Sequence, residues 1–314
     1  MFSVESLKKN FPLKNSTTFK IGGKAKYFLE AQSQEEIIEA IKWAQQKKLP
    51  FFVLGGGSNV LIGDKKYKGV VIQAKNQDIK IENENNDFKI IEANAGVFLA
   101  KLVGVALKNN LTGMEWAIGI PGTLGGAIYG NAGSFENSMQ NSIEEVKVFL
   151  IDSQETKIFK KEECNFGYRD SIFKNNKNLI ILSAKIKLFL ASHTEIENKM
   201  NEFFLQKKKS QPLECYSAGS VFKNPVGFLA WDLIEKAGFR GKQIGKAQVS
   251  NKHSNFIVNV GLAKAKDVKK LIKKIKKQVK KKFGVILEEE IKSTPKYWLW
   301  SHKRWKRAHF FKEE

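Results

Sequence analysis

Apolar and polar positions along the chain fall into stretches of helical period, stretches that read as strands, and two runs dominated by glycine. Ser33-Gln34-Glu35-Glu36 has the form of a capping box, and Ile37, Ile38, Ile41 and Ala44 behind it share one helical face. This predicts a helix to about Lys48, stopped by Pro50. Phe51–Leu54 then reads as a short buried strand entering Gly55-Gly56-Gly57-Ser58-Asn59, and 70–72 as another strand, giving a small β-α-β layer. Residues 78–96 read as a hairpin, with strands at 79–81 and 88–91 around a polar turn at 83–87. A helix over 97–108 leads into the glycine-rich stretch 113–133, and strands resume at 146–151, 156–159 and 179–189. Thr194-Glu195-Ile196-Glu197 forms a second capping box, opening a helix with Ile196, Met200, Phe203 and Phe204 on one face and its end near Gln211-Pro212. Beyond that come a helix at 228–237 closed by Gly238, a strand at 256–260, a lysine-rich helix and a last strand at 285–291. The pattern predicts an α+β or α/β unit without an internal repeat.

Composition narrows the class. The 314 residues are 42% hydrophobic and 27% charged, enough apolar material for two or three packed domains. No apolar run approaches the ~20 residues that span a bilayer, and the first residues lack a signal-peptide core, so a soluble cytoplasmic protein is expected. Cys164 and Cys215 stand far apart, and the four histidines show no paired-ligand spacing. A disulfide scaffold or a site for a metal is therefore not expected.

The formal net charge of +22 raises the question of nucleic acid. Only four cations are arginines, whereas bidentate base and phosphate recognition favours the guanidinium fork. In the densest run, 264–283, Val268, Leu271, Ile272, Ile275, Val279 and Phe283 form one stripe with lysines over the rest, the pattern of a surface helix. No nucleic-acid partner and no stable membrane insertion are expected, and the surplus charge favours anionic small ligands. The aromatic and basic residues 296–314, including Trp298, Trp300 and Trp305, read as an appendage.

The glycine runs carry the chemistry. Gly55, Gly56 and Gly57 follow a strand directly, where backbone N–H groups can approach an anion, but the spacing is neither a Rossmann fingerprint nor a P-loop. The run from Gly119 to Gly133 holds six glycines in fifteen residues and no charge. Such a segment is costly to order. Two such loops predict a clasp around a flat or phosphorylated ligand.

GGGSNVLI at 55–62, GIPGTLGGAIYGNAG at 119–133, GYRDS at 167–171, SAGSVFKNP at 217–225 and LEEEI at 287–291 occur in the order seen in the MurB family, the UDP-N-acetylenolpyruvoylglucosamine reductases of peptidoglycan synthesis. The chain resembles the shorter, second type of that family over residues 16–292. The resemblance implies a two-subdomain FAD-binding fold of the vanillyl-alcohol-oxidase type (1–75 and 76–190), a C-terminal substrate-binding domain (191–295) and a tail outside it. It also implies FAD, NADPH and a UDP-sugar as ligands; a monomer is expected, although the sequence does not give the oligomeric state. Gly55, Gly56, Gly57, Ser58, Asn59, Pro121, Gly122, Thr123, Gly125, Gly126, Gly130 and Asn131 would hold FAD, non-covalently because neither loop contains His or Cys. Arg169 matches the family's carboxylate-binding arginine, Ser220 its proton donor and Glu290 its catalytic glutamate. Strand alternation puts Glu288 and Glu290 on one face, and only the resemblance chooses between them. Asn224 would bind the UDP part, and Lys208 would reach the diphosphate. A different FAD oxidoreductase of the same fold, acting on another sugar or alcohol, is the alternative.

Overall fold

A computed structural model describes residues 2–83 and 87–294. The polar turn of the expected hairpin lies partly, and the 296–314 tail wholly, outside the described residues.

The first unit is a four-stranded sheet. Lys8–Pro12 (β1) runs antiparallel to Lys24–Ala31 (β2), and Phe51–Leu54 (β3) and β2 flank Tyr67–Ala74 (β5) in parallel; Val60–Leu61 (β4) lies off this sheet. The helix Gln34–Gln46 (α1) has Ser33 as its N-cap, with the hydroxyl accepting from Glu36 N–H. It buries Ile37, Ala40, Ile41 and Ala44 against β2 and β5. β1 and β2 are additions to the sequence reading, for β1 is largely exposed and carries no apolar alternation to detect.

The second sheet is antiparallel, in the order β12-β11-β13-β7-β6. Its strands are Ile79–Asn83 (β6), Phe88–Asn94 (β7), Ile143–Leu150 (β11), Glu155–Lys160 (β12) and Leu179–Leu190 (β13). The short Leu111–Thr112 (β8) joins β13, and Gly133–Ser134 (β9) pairs with Asn137–Ser138 (β10) as a separate hairpin. Leu99–Lys108 (α2), Leu124–Gly130 (α3) and Ile172–Asn175 (α4) attach to this unit. α3 corrects the reading of the second glycine run as loop throughout. Leu124, Ala127 and Ile128 give it a buried stripe, which is enough for two turns despite the helix-weakening glycines.

His193–Ser210 (α5) leads to the third unit. Its first residue follows Ser192 rather than the Thr194 capping box. Ser217–Ser220 (β14), Gln243–Ile244 (β15), Ala247–Val249 (β16) and Phe256–Asn259 (β17) form an antiparallel sheet, order β14-β17-β16-β15, under Ala230–Lys236 (α6) and Ala265–Phe283 (α7). Val268, Leu271, Ile272, Ile275 and Val279 of α7 are buried, as their spacing requires. The Asp64 carboxylate accepts from the N–H groups of Ala265 and Lys266 at 2.7 and 3.0 Å, so the first unit caps the helix of the third.

The expected strand at 285–291 is not formed. The chain there touches its neighbour through one bridge, Glu289 to Phe222, then pairs Lys292–Ser293 (β18) in parallel with β4. This return threads the C-terminal segment between the first and third units.

Candidate active site

The three units enclose a cavity of about 880 Å³. That lies toward the upper end of the ~300–1,000 Å³ typical of ligand sites. One lip is Gly55 to Asn59, at the end of β3. The Gln73 amide donates to Gly55 O at 3.0 Å, and Thr18 N–H to Gly57 O at 3.2 Å. Gly57 has φ +66°, and a Cβ there would lie 2.0 Å from Ser16 O, so only glycine fits. The other lip is Gly119 to Gly126, pinned to the turn before α2 by hydrogen bonds from Leu99 N to Gly122 O and from Gly125 N to Ala95 O. A Cβ on Gly56 would stand 2.7 Å from Gly122 Cα, so the lips meet backbone to backbone.

FAD fits these residues on two observations. Gly126 and Gly130 line the cavity with open space where a side chain would otherwise stand. The buried Thr123 hydroxyl, at the junction of the lips, has no hydrogen-bond partner among the described residues. Gly130 also lines the cavity, but Asn131 does not. Asn131 ends α3 in the left-handed conformation, and its amide donates to Gly167 O at 2.8 Å while its Oδ1 accepts from Gln140 N. It braces the loop that carries Arg169 instead of facing the ligand.

The floor is charged. Arg169 sits at φ +53° in a turn closed by reciprocal hydrogen bonds between Gly167 and Asp170. The Lys174 ammonium donates to its carbonyl. Its guanidinium donates from Nη2 to Gly133 O at 2.7 Å, and its Nε lies 3.2 Å from Glu290 Oε1, an ion-pair distance without hydrogen-bond alignment. Burial pushes the Glu290 carboxyl above the usual range, against the opposing pull of Arg169, Lys174, Lys223 and Lys292. Glu290 N–H donates to Val221 O at 2.8 Å, the Asn59 side-chain amide donates to Glu290 O at 3.5 Å, and Lys292 N–H donates to Asn59 O. Glu290 is thus held between the first lip and the strand carrying Ser220.

Ser220 ends β14 and lines the cavity. Gly219, at φ +74°, breaks the pairing register between Ser217 and Ser220, a bulge that re-aims the strand end. The buried Asn255 then locks the next turn, accepting from Phe222 N–H at 3.0 Å and donating to Phe222 O at 2.8 Å. Nothing in the sequence pattern singled out Asn255. Depth separates the two candidate glutamates, because the Glu288 side chain is 69% exposed and pairs with Lys223, whereas that of Glu290 is 19% exposed.

Two expected substrate residues lie elsewhere. Lys208 is exposed and outside the cavity lining; its neighbour Lys207 is the inward one, because a helix turns successive side chains by about 100°. Asn224 is exposed too, and its Oδ1 accepts from Ala230 N–H at the start of α6. Cations that do line the cavity include Lys20, Lys174, Lys177 and Lys292, which the sequence reading missed. Lys174 is pushed down to about 8, first by burial and then by Lys292 and Lys223. Both cysteines are free, and the described residues hold no metal-binding group of three His, Cys, Asp or Glu side chains. No helix among them is long and apolar enough to cross a membrane.

A backbone-walled cradle beside a carboxyl, a guanidinium and a hydroxyl suits a flavoprotein oxidoreductase, the class to which the family matches assign the chain. Residues 25–157 match the FAD binding domain family, and residues 211–294 match the C-terminal domain of UDP-N-acetylenolpyruvoylglucosamine reductase. The chain belongs to the UDP-N-acetylenolpyruvoylglucosamine reductase family. It is 45% identical to the enzyme of that name from Caldanaerobacter subterraneus subsp. tengcongensis, over 90% of this chain and 92% of the other. It is 40% identical to that from Prochlorococcus marinus, over 91% and 97%. The crystal structure of the MurB enzyme from Thermus caldophilus superposes with a TM-score of 0.78 at 33% identity, covering 92% of this chain and 99% of that one. The fold class expected from the sequence, an FAD-binding fold with a C-terminal unit, is the one present.

Proposed function

We propose that this chain reduces the enolpyruvyl ether of UDP-N-acetylglucosamine to UDP-N-acetylmuramate, a peptidoglycan precursor, as a monomeric cytoplasmic enzyme using NADPH as reductant. The observation that carries the reading is the convergence of Arg169, Glu290 and Ser220 on a cavity whose lips are glycine backbone. Bound FAD, once reduced, supplies hydride to the alkene carbon. The protein's task is the charge that then develops on the neighbouring carbon and its carboxylate.

Arg169 offers a fork to that carboxylate, and its braced turn fixes the fork in advance. Glu290, with its affinity for a proton raised by burial, donates a hydrogen bond to the developing enediolate. Preorganised donors of this kind contribute typically ~3–4 kcal/mol each. The Ser220 hydroxyl delivers the proton to carbon. It is a weak acid, which suits a strongly basic carbanion. NADPH and the sugar nucleotide occupy the same cavity in turn, in keeping with a sequence that has no Rossmann fingerprint.

The test is anaerobic. The purified protein is expected to be yellow, to bleach with NADPH and to regain colour with the enolpyruvyl sugar nucleotide. A protein that is reduced by NADPH but reoxidised only by a different sugar or an oxidised alcohol would transfer the assignment to another flavin oxidoreductase. A protein that never takes up FAD would end both readings.

A further inference from the structure

Three lysines close α5, and only the first is buried. Lys207 is 3% exposed, while Lys208 and Lys209 face outward. Its Nζ donates to two backbone carbonyls from far earlier in the chain, Trp116 O at 2.8 Å and Ile118 O at 2.7 Å. The ammonium also lies 5.2 Å from the Phe135 ring, which stacks at 4.1 Å on Phe203 of the same helix. Both carbonyls belong to the run that leads into the second glycine lip, Gly119 to Gly126.

Among the described residues no carboxylate pairs with this buried ammonium. Glu115, the acid of that run, has its carboxylate taken by the Thr112 hydroxyl and Gly113 N–H. Glu136, beside Phe135, is exposed, and Glu202 on α5 bonds the Gln206 amide. Burial pushes Lys207 down to about 8, with no acid among the described residues opposing it. An uncompensated buried cation destabilises a fold, and a Met of similar volume would fill the space without that penalty. An ammonium has three donors; two are spent on carbonyls, and the side chain lines the cavity beside Gly119.

We infer that Lys207 is a positioning residue for the cofactor: an ammonium clasp that sets the 116–121 run against α5 and gives its remaining N–H to the dinucleotide cavity. The inference rests on the reading that this cavity takes FAD. It makes cofactor retention dependent on one proton. The clasp is complete when Lys207 is charged, so FAD is held most tightly below about pH 8 and progressively less tightly above it.

FAD is titrated into flavin-free protein from pH 6 to 10, with flavin fluorescence as the readout and thermal unfolding of each flavin-free variant as the folding check. Wild type should lose affinity about tenfold as pH passes 8. Lys207→Met should bind about tenfold more weakly at pH 6 and show no such pH dependence. Lys207→Arg should restore affinity and hold it to pH 10, while Lys208→Met should follow wild type. Met and wild-type curves that coincide within twofold, with FAD bound by both, would overturn this inference and leave the proposed function standing. Should Lys207→Met fail to fold, a Lys207→Arg curve that still weakens through pH 8 overturns it equally. Wild-type protein that takes up no FAD would remove both the inference and the function on which it rests.

Discussion

The lips of the cavity and its floor solve different problems. The lips work by what they lack. Gly56 and Gly122 meet with no room for a Cβ, and Gly57 adopts a backbone conformation that other residues rarely tolerate. The floor works by side chains, and each arrives from a different segment of the chain. Arg169 comes from the turn before α4, Ser220 from the end of β14, and Glu290 from the segment returning to pair with β4. A wall of backbone can bind a large ligand with few strong demands on any single residue. A floor of three converging groups concentrates the reaction on each of them. Substitutions should therefore separate cleanly, with floor variants losing rate and lip variants losing cofactor.

The largest effect is expected at Ser220. Ser220→Ala should slow reoxidation of the reduced flavin by the enolpyruvyl substrate by about 10³-fold, within the ~10²–10⁴ that a positioned proton donor contributes. Reduction by NADPH should stay within about twofold, since no proton from Ser220 is used there. Stopped-flow absorbance at the flavin band follows both halves. Equal losses in the two would dissolve the distinction between floor and lips.

That distinction also explains what was legible in the sequence. The lips are local, and six glycines in fifteen residues announce themselves. α1, the stripe of α7 and most strands of the second sheet were legible because burial stamps a period on the chain. β1 was not, for an exposed edge strand carries no such stamp. The floor depends on which distant segments meet, and composition holds no record of that. Only resemblance to a family brought Arg169, Ser220 and Glu290 together, and it named Lys208 and Asn224, which are exposed and outside the cavity lining, while Lys207 lines it. Asn131, Asn255 and Lys174 do their work on backbone groups that are remote or out of sight in the sequence.

The second prediction concerns Glu290. Burial raises its affinity for a proton, and in the proposed mechanism the acid is the form that donates to the developing charge. The rate of flavin reoxidation should then fall as pH rises through the raised value and the carboxyl ionises. Glu290→Gln keeps the shape and removes the titration. Its rate should drop by about 10²-fold, in line with the loss of one preorganised donor, and its alkaline limb should vanish. Glu288→Gln, on the exposed rim, should leave both rate and pH profile unchanged within about twofold. A Glu290→Gln variant that retains the alkaline limb would assign that ionisation to another group on the floor, with the Lys174 ammonium the first to examine.

The smallest effect should come from the lips, and it should be of another kind. In Gly56→Ala the new methyl would stand 2.7 Å from Gly122 Cα, a backbone atom that cannot swing aside. The lips must part by a few tenths of an ångström or more, and the second lip resists because it is tied to the turn before α2 through Leu99 and Ala95. The strain is taken up where the loops meet, beside the Thr123 hydroxyl, and not at Arg169 or Glu290. FAD affinity should fall about tenfold, about 1.4 kcal/mol, as read by fluorescence titration. Protein saturated with FAD should turn over within about twofold of wild type. If the saturated variant were instead slowed as much as Glu290→Gln, the lips would be setting the geometry of the reacting groups, and the division of labour between backbone wall and charged floor would fail.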